Sequence, residues 1–299
     1  MAKQFRKVAV LGRHDDPRVR EPMAELAEHL TKAGIEVLAV DEMSLEFAGT
    51  RLPESELANQ ADLAIAIGGD GTMLYAGQLA SAGNIPLLGI NHGRLGFLAD
   101  VTPDEMLDSV DHVINGDYQT DARLLLDVRL IRPGAADVSA TALNDVVLQR
   151  RESGRMLDFV TGIGEQYVNT HSGDGLIIAT PTGSTAYALS CGGPIIEPHL
   201  DAVVVVPVAP HTLSVRPIVI PAENKIEVRL LERPEVKGEI TIDGNSIGEL
   251  RPQDRLQIVA SDRRLTLVHP PGYDFYSILR SKLQWGRDMR KRDNQVENT

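Results

Sequence analysis

The sequence predicts an α/β domain built on a parallel sheet, then an all-β domain of sandwich type, then a closing helix. Three observations predict it. Over the first third, near-continuous apolar strands alternate with helical spacing, the pattern of a parallel sheet covered on both faces. Near residue 120 the texture changes: short strand signals crowd together and turn residues punctuate them. From Asp274 to Trp285 helical spacing returns, and such a helix can pack back on the first domain.

Taken in order, Lys7 to Leu11 is a short apolar strand, with Gly12 as its turn. Arg20 to Ala33 carries Met23, Leu26, Ala27 and Leu30 at helical spacing, and Gly34 stops it. Glu36 to Val40 and Leu63 to Ile67 are the next strands, Met73 to Ser81 a helix, and Pro86 to Ile90 the fourth strand. In the second part the strands are Leu124 to Ile131, Ala142 to Gln149, Asp158 to Ile163, Leu176 to Ala179 and Ala202 to Val206. Ile226 to Leu231, Glu239 to Ile242, Leu256 to Ala260 and Leu265 to Val268 complete them. Pro133-Gly134, Pro234, Asp243-Gly244 and Pro252 mark turns between them. The expected domains are residues 1–121 and 122–273, with a returning helix over 274–286 and a charged tail over 287–299.

Composition removes several function classes. The net charge is −12, from 30 basic and 42 acidic residues. Nucleic-acid binding rests on Lys and Arg neutralising phosphates, so no nucleic-acid partner is expected. Aromatics are 4%, too few for a base-stacking platform. No apolar run approaches the ~20 residues of a membrane helix, and no cleavable leader is visible, so a cytoplasmic protein without membrane contact is expected. The single cysteine, Cys191, reads as a small buried residue and excludes an internal disulfide. None of the eight His pairs at metal-ligand spacing, and His211 reads as structural.

Three segments carry chemistry. The strongest is Gly68-Gly69-Asp70-Gly71-Thr72, between an apolar strand and a helix. Its glycines let the backbone approach a ligand, and the helix aims free N–H groups and a positive dipole end at that point, which suits phosphate. A carboxylate among phosphates is repulsive unless it takes a proton or binds a metal, so Asp70 is a general base or a metal ligand. The plain alternative is a tight turn containing Asp. The loop is neither a Walker motif nor the dinucleotide fingerprint. The second segment, Gly173-Asp174-Gly175 and Thr180 through Tyr187 to Pro194, is dense in hydroxyls and glycines. It suits a wall that grips an adenosine, or else a turn in which Ser184 caps a helix running to Ser190. The third is Asn144-Asp145, polar inside an apolar strand context. Buried polar groups need partners; a ligand's ribose hydroxyls would serve, as would a β-bulge or turn.

Together these segments resemble the NAD kinases, which share a GGDGT-type loop with 6-phosphofructokinases and diacylglycerol-type lipid kinases. Further stretches in family order narrow the match: Ile90-Asn91 with Gly93, Leu95-Gly96-Phe97-Leu98, Ser172 to Leu176, and Pro210-His211-Thr212-Leu213 with Arg216-Pro217. The resemblance runs from Val8 to about Trp285. It implies a Rossmann-like first domain, a β-sandwich second, and an active site between them. It implies transfer of the γ-phosphoryl group of ATP, or of polyphosphate, to the 2′-hydroxyl of the adenosine ribose of NAD. A divalent metal ion, Mg²⁺, and a homotetramer are implied with it. Residue by residue, it makes Asp70 the proton acceptor and Gly68, Gly69, Gly71 and Thr72 the phosphate loop, with Gly71 also beside the substrate. Asn144 and Asp145 would bind the adenosine part and Phe97 would wall the adenine. Ser172 would join the substrate site, and Asp174 would reach its nicotinamide side. Thr185, Ala186, Tyr187, Ala188, Leu189 and Ser190 would line it, and Arg155 and Asn245 would add contacts. One departure stands out: most members have Glu where this chain has Asp145, one methylene shorter. A lipid kinase sharing the loop would need a membrane-facing surface that −12 disfavours. A non-catalytic dinucleotide sensor would not need Asp70.

Overall fold

The computed structural model describes residues 5–12, 17–41, 49–92, 96–151, 156–232 and 237–285. Gly93, Leu95, Arg155 and the tail expected over 287–299 lie outside them.

The first layer is a parallel sheet. Strands β1 (Lys7–Gly12), β2 (Glu36–Val40), β3 (Thr50–Leu52), β4 (Leu63–Gly68) and β5 (Leu87–Asn91) lie in the order β5-β4-β1-β2-β3. Helices α1 (Pro17–Lys32), α2 (Glu54–Gln60), α3 (Asp70–Gly83) and α4 (Met106–Ile114) cover both faces. Val19, Met23, Leu26 and Leu30 of α1 share one core with Met106, Val110 and Val113 of α4. Leu57 of α2 and Met73, Ala76 and Leu79 of α3 share the opposite core. Every residue of β4 is buried, as a strand covered on both sides requires. Strand β3 and helices α2 and α4 were absent from the sequence reading. The spacing of Met106, Val110, Val113 and Ile114 carries the signal for α4.

The second layer is a sandwich. Its strands are β6 (Gln119–Ile131), β7 (Val138–Ala142), β8 (Asp145–Arg150), β9 (Leu157–Ile163), β10 (Gln166–Gly173), β11 (Gly175–Ala179), β12 (Ala202–Val208), β13 (Ile218–Pro221), β14 (Ile226–Leu230), β15 (Gly238–Ile242), β16 (Asn245–Leu250) and β17 (Arg255–His269). One sheet runs β13-β12-β11-β8-β15-β16. It packs on β6, β9, β14 and β17 through a core that includes Leu126, Val128, Leu148, Phe159, Ile178, Val205, Val228, Ile240 and Ile258.

The two layers are joined more tightly than two separate domains. Strand β17 pairs antiparallel with β6 along its length, and its end pairs parallel with β5 at Leu267↔Leu87 and Val268↔Leu88. A single sheet of 11 strands therefore crosses from one layer to the other. The strands expected at Leu256 to Ala260 and Leu265 to Val268 are one strand, interrupted only by a register shift between Ala260 and Arg264. The polar run Ser261 to Arg264 read as a break because a bulge and a turn share that composition. Side chains sort along these strands: Leu124 faces the sandwich core, while Leu125, Leu265 and Leu267 face the core beneath α3. The last helix, α6 (Phe275–Leu283), is capped by Asp274, whose carboxylate accepts from the Tyr276 amide. It lies beside the first layer, where Ser277 and Ile278 line a cavity with Val101, Ser109 and His112.

Candidate active site

The glycine loop winds directly into α3. Gly69 is extended and serves as N-cap, so Asp70 stands at the first helical residue, three positions earlier than the spacing suggested. The Thr72 and Met73 amides return to the Gly69 carbonyl at 2.9 and 3.1 Å. First-turn amides ahead of them have no acceptor within a helix, and here no side chain caps them. Free amides at a helix N-terminus suit an anion, and the exposed Asp70 carboxylate stands at their rim. Gly96 is pressed against that carboxylate: a Cβ there would lie 2.0 Å from Asp70 Oδ1. Only a glycine lets the chain preceding Phe97 pass so close.

The other two motifs form one wall. Asn144 sits just before β8, and Asp145 opens that strand, paired with Ala179 of β11. The Thr180 amide donates to the Asn144 carbonyl at 2.9 Å, and the Thr180 hydroxyl donates to the Leu143 carbonyl at 2.5 Å. Gly183 lies flat on Asn144, where a Cβ would meet the Asn144 carbonyl oxygen at 2.1 Å. Ser184 caps nothing. Its hydroxyl donates to the Pro181 carbonyl at 2.6 Å and accepts from the Ile196 amide at 2.9 Å. The expected helix to Ser190 is instead a 3-10 turn, Gly183–Thr185, and a four-residue α5, Tyr187–Ser190.

Electrostatics single out this wall. Burial first, and the Asp243 carboxylate second, push the Asp145 carboxyl up to about 6. The Tyr187 phenol is raised by its own burial, by Cys191, and by the charges of Asp174 and Asp145. Asn144 Oδ1 is buried with no hydrogen-bond partner in the protein. Such an atom costs free energy unless a ligand or water completes it. The wall also meets α3: at Gly77, a Cβ would touch Leu143 and Leu265 at 3.0 Å. The helix that presents Asp70 thus rests on the residue before Asn144.

Residues 8–118 match the model of the ATP-NAD kinase N-terminal domain, and residues 143–270 that of the ATP-NAD kinase C-terminal domain. The chain belongs to the NAD kinase family. The NAD kinase of Thiobacillus denitrificans is 40% identical over 288 residues, covering 95% of this chain and 99% of that protein. That of Nitrosomonas europaea is 42% identical over 290 residues, covering 96% and 97%. Among solved structures, yeast NADH kinase complexed with NADH superposes with a TM-score of 0.88 at 25% identity, covering 97% of this chain and 90% of that one. An NAD kinase from Archaeoglobus fulgidus in complex with ATP gives 0.69 at 25% identity, covering 93% and 97%.

The remaining positions read from NAD kinase resemblance distribute unevenly. Phe97 follows Gly96 at the Asp70 carboxylate, and the Lys282 ammonium of α6 stands 5.6 Å from its ring centroid. Asp174 pairs with Arg150 at 3.0 Å and stays partly open to solvent. The Ser172 hydroxyl is committed to Asp158. Thr185 turns its hydroxyl back to the Thr182 carbonyl at 3.1 Å. Of the stretch to Ser190, Ala188 is fully buried against Val147, Ile177 and Val206, so its side chain serves packing. Cys191, expected to be buried, is half-buried at the end of α5. Asn245 lines a separate cavity of about 350 Å³ with Gln78, Ser81, Thr141 and Arg263.

Two groups behind the wall escaped the sequence reading. Asp243, read there only as half of an Asp-Gly turn, accepts from the Leu143, Asn144 and Asp145 amides at 2.8, 2.7 and 3.1 Å. Its burial raises its carboxyl despite those three donors. Arg123, from β6, donates to Asp121 at 2.7 Å, to Thr182 Oγ1 at 3.3 Å and to Tyr273 at 3.1 Å. His269, stacked on Tyr273 at 3.6 Å, completes this buried cluster through Asp100 at 3.2 Å. Burial disfavours charge on both His269 and Asp121. The carboxylates of Asp100 and Asp121 nonetheless raise His269, while His269 and Arg123 hold Asp121 at about 2. The signal was present in Asp121-x-Arg123, two charges on one face of a strand that continues as Leu124 to Leu126.

Proposed function

We propose that this chain transfers the γ-phosphoryl group of ATP to the 2′-hydroxyl of the adenosine ribose of NAD, with Asp70 as proton acceptor. The observation that carries the reading is the seating of α3 on Leu143. Through it the helix whose first residue is Asp70 packs on the segment that holds the unpartnered Asn144 oxygen, which supports one site shared by the two. Asn144 and Asp145 bind the adenosine ribose, and Tyr187 and Asp174 border the rest of the dinucleotide. Phe97 walls the adenine. The ribose oxygen bonds to the γ-phosphorus as the bond to the bridging oxygen of ADP breaks, and the hydroxyl proton passes to the Asp70 carboxylate. The first-turn amides of α3 hold phosphate oxygens in place.

The divalent ion enters as part of the MgATP substrate and neutralises charge on the transferring group. Among the described residues, no group of three or more His, Cys, Asp or Glu side chains could hold a metal alone, which fits an ion brought in by the nucleotide. No helix among the described residues is long and apolar enough to cross a membrane. We place the protein in the cytoplasm as a homotetramer, with exposed Leu213, and exposed Val219 on the edge strand β13, as candidate contact residues. Light scattering on the purified protein tests the assembly. The activity is tested by incubation with NAD and MgATP and reading the product with an NADP-specific dehydrogenase. NADP formed in step with ADP is expected. Bound NAD with unconsumed ATP would leave a dinucleotide sensor instead.

A further inference from the structure

We infer that Asp243 is a positioning residue for NAD: its carboxylate clamps the backbone of Leu143, Asn144 and Asp145 and so aims the two ribose-binding side chains. The inference rests on the function proposed above and assigns a role to a residue outside the binding wall itself. Asp243 stands at the turn between β15 and β16, with φ of 49°. Oδ1 accepts from the Asn144 and Asp145 amides at 2.7 and 3.1 Å, and Oδ2 from the Leu143 amide at 2.8 Å. The clamp is reciprocal, since the Asp243 amide donates to the Asp145 carbonyl at 3.0 Å.

Three consecutive amides converging on one carboxylate make a local nest, the reverse of the usual case in which a nest holds a ligand anion. Here the anion belongs to the protein and the segment is the part that must be held. The segment needs holding because it leaves the ladder just there. Asn144 precedes the first paired residue of β8, and its Oδ1 has no partner within the protein. Oδ2 also accepts from Gln78 Nε2 at 3.4 Å, and Gln78 lies on α3, two turns beyond Asp70. The clamp therefore registers the ribose-binding segment against the helix that presents the proton acceptor.

The test is calorimetric binding of NAD and of ATP to four proteins: wild type, Asp243→Asn, Asp145→Asn and the double variant. Asn tolerates the left-handed backbone at this position, so the turn survives. It turns an NH₂ group toward amides that need an acceptor, so NAD affinity should fall roughly tenfold, the scale of charge-assisted hydrogen bonds, with ATP affinity unchanged. Because Asp243 acts through Asn144 and Asp145, removing the Asp145 carboxylate takes away part of what it aims, so the double variant should lose less NAD affinity than the product of the two single losses. A merely structural role would lower thermal stability without this non-additivity. Multiplicative losses, or unchanged NAD affinity in folded Asp243→Asn, would overturn the inference. Absence of NAD binding by wild type would overturn the proposed function instead. Should Asp243→Asn fail to fold, Gln78→Ala on the exposed face of α3 decides. A loss of NAD affinity of about twofold or more, the scale of one weak, exposed hydrogen bond, supports the clamp, and unchanged affinity rejects it.

Discussion

Asp145 is a carboxylate held where charge is disfavoured, by its own burial and then by Asp243. Its folded pKa of about 6 lies above the ordinary 3.8, so the folded protein binds this proton more tightly than the unfolded chain. The stability it contributes is therefore full below pH ~4 and lost as pH rises through ~6. Asp145→Asn removes the charge and keeps the shape. In urea denaturation the variant should exceed wild type by about 2–3 kcal/mol at pH 8, with the gain gone at pH 4. An equal gain at both pH values would show that charge is not the cause. Function runs the other way. In the proposed role the ionised carboxylate accepts from ribose, so Asp145→Ala should raise KM for NAD roughly tenfold, whereas Asp145→Glu should be tolerated. A tense residue kept at a cost in stability is what a binding site predicts.

Strand β6 shows how an element can serve both layers. Leu124 and Leu125 enter different cores, and the residue just before them, Arg123, reaches the Thr182 hydroxyl of the candidate wall. Arg123 and Asp121 are 2% and 3% exposed, so removing Arg123 strips the guanidinium from a buried carboxylate and leaves it only its histidine neighbours His269 and His199. Arg123→Met should destabilise the fold by about 3–5 kcal/mol. A melting temperature unchanged from wild type would contradict the pairing. The same element marks the limit of sequence reading. Strands with an apolar run, such as β1, β4 and β12, were legible because burial on both sides leaves no room for polar residues. The edge strands β3, β10, β13 and β16 were not, because partly exposed strands read like loops. The Asp70 loop and Asn144-Asp145 were legible from unusual polarity in apolar surroundings. Asp243 and Arg123 were not, because each acts on backbone or side chains distant in sequence, and only the fold brings them together.

At the scale of the whole molecule, the continuous sheet through β17 joins the two layers on which the candidate residues stand. One layer supplies the helix end that carries Asp70 and the other the wall that carries Asn144 and Asp145. With net charge −12, the surface as a whole repels phosphates, so the proposed reaction calls for local capture and a cation that offsets the charge. Excess EDTA should abolish turnover and Mg²⁺ restore it; full activity in EDTA would contradict that. The most direct measurement is on Asp70→Asn, which keeps the turn and removes the basic oxygen. Measured kcat for NADP formation, beside calorimetric NAD binding, separates chemistry from binding. The account predicts that kcat falls ~10²–10⁴-fold while NAD affinity stays near wild type. A folded Asp70→Asn protein with near-normal kcat at ordinary Mg²⁺ would contradict it.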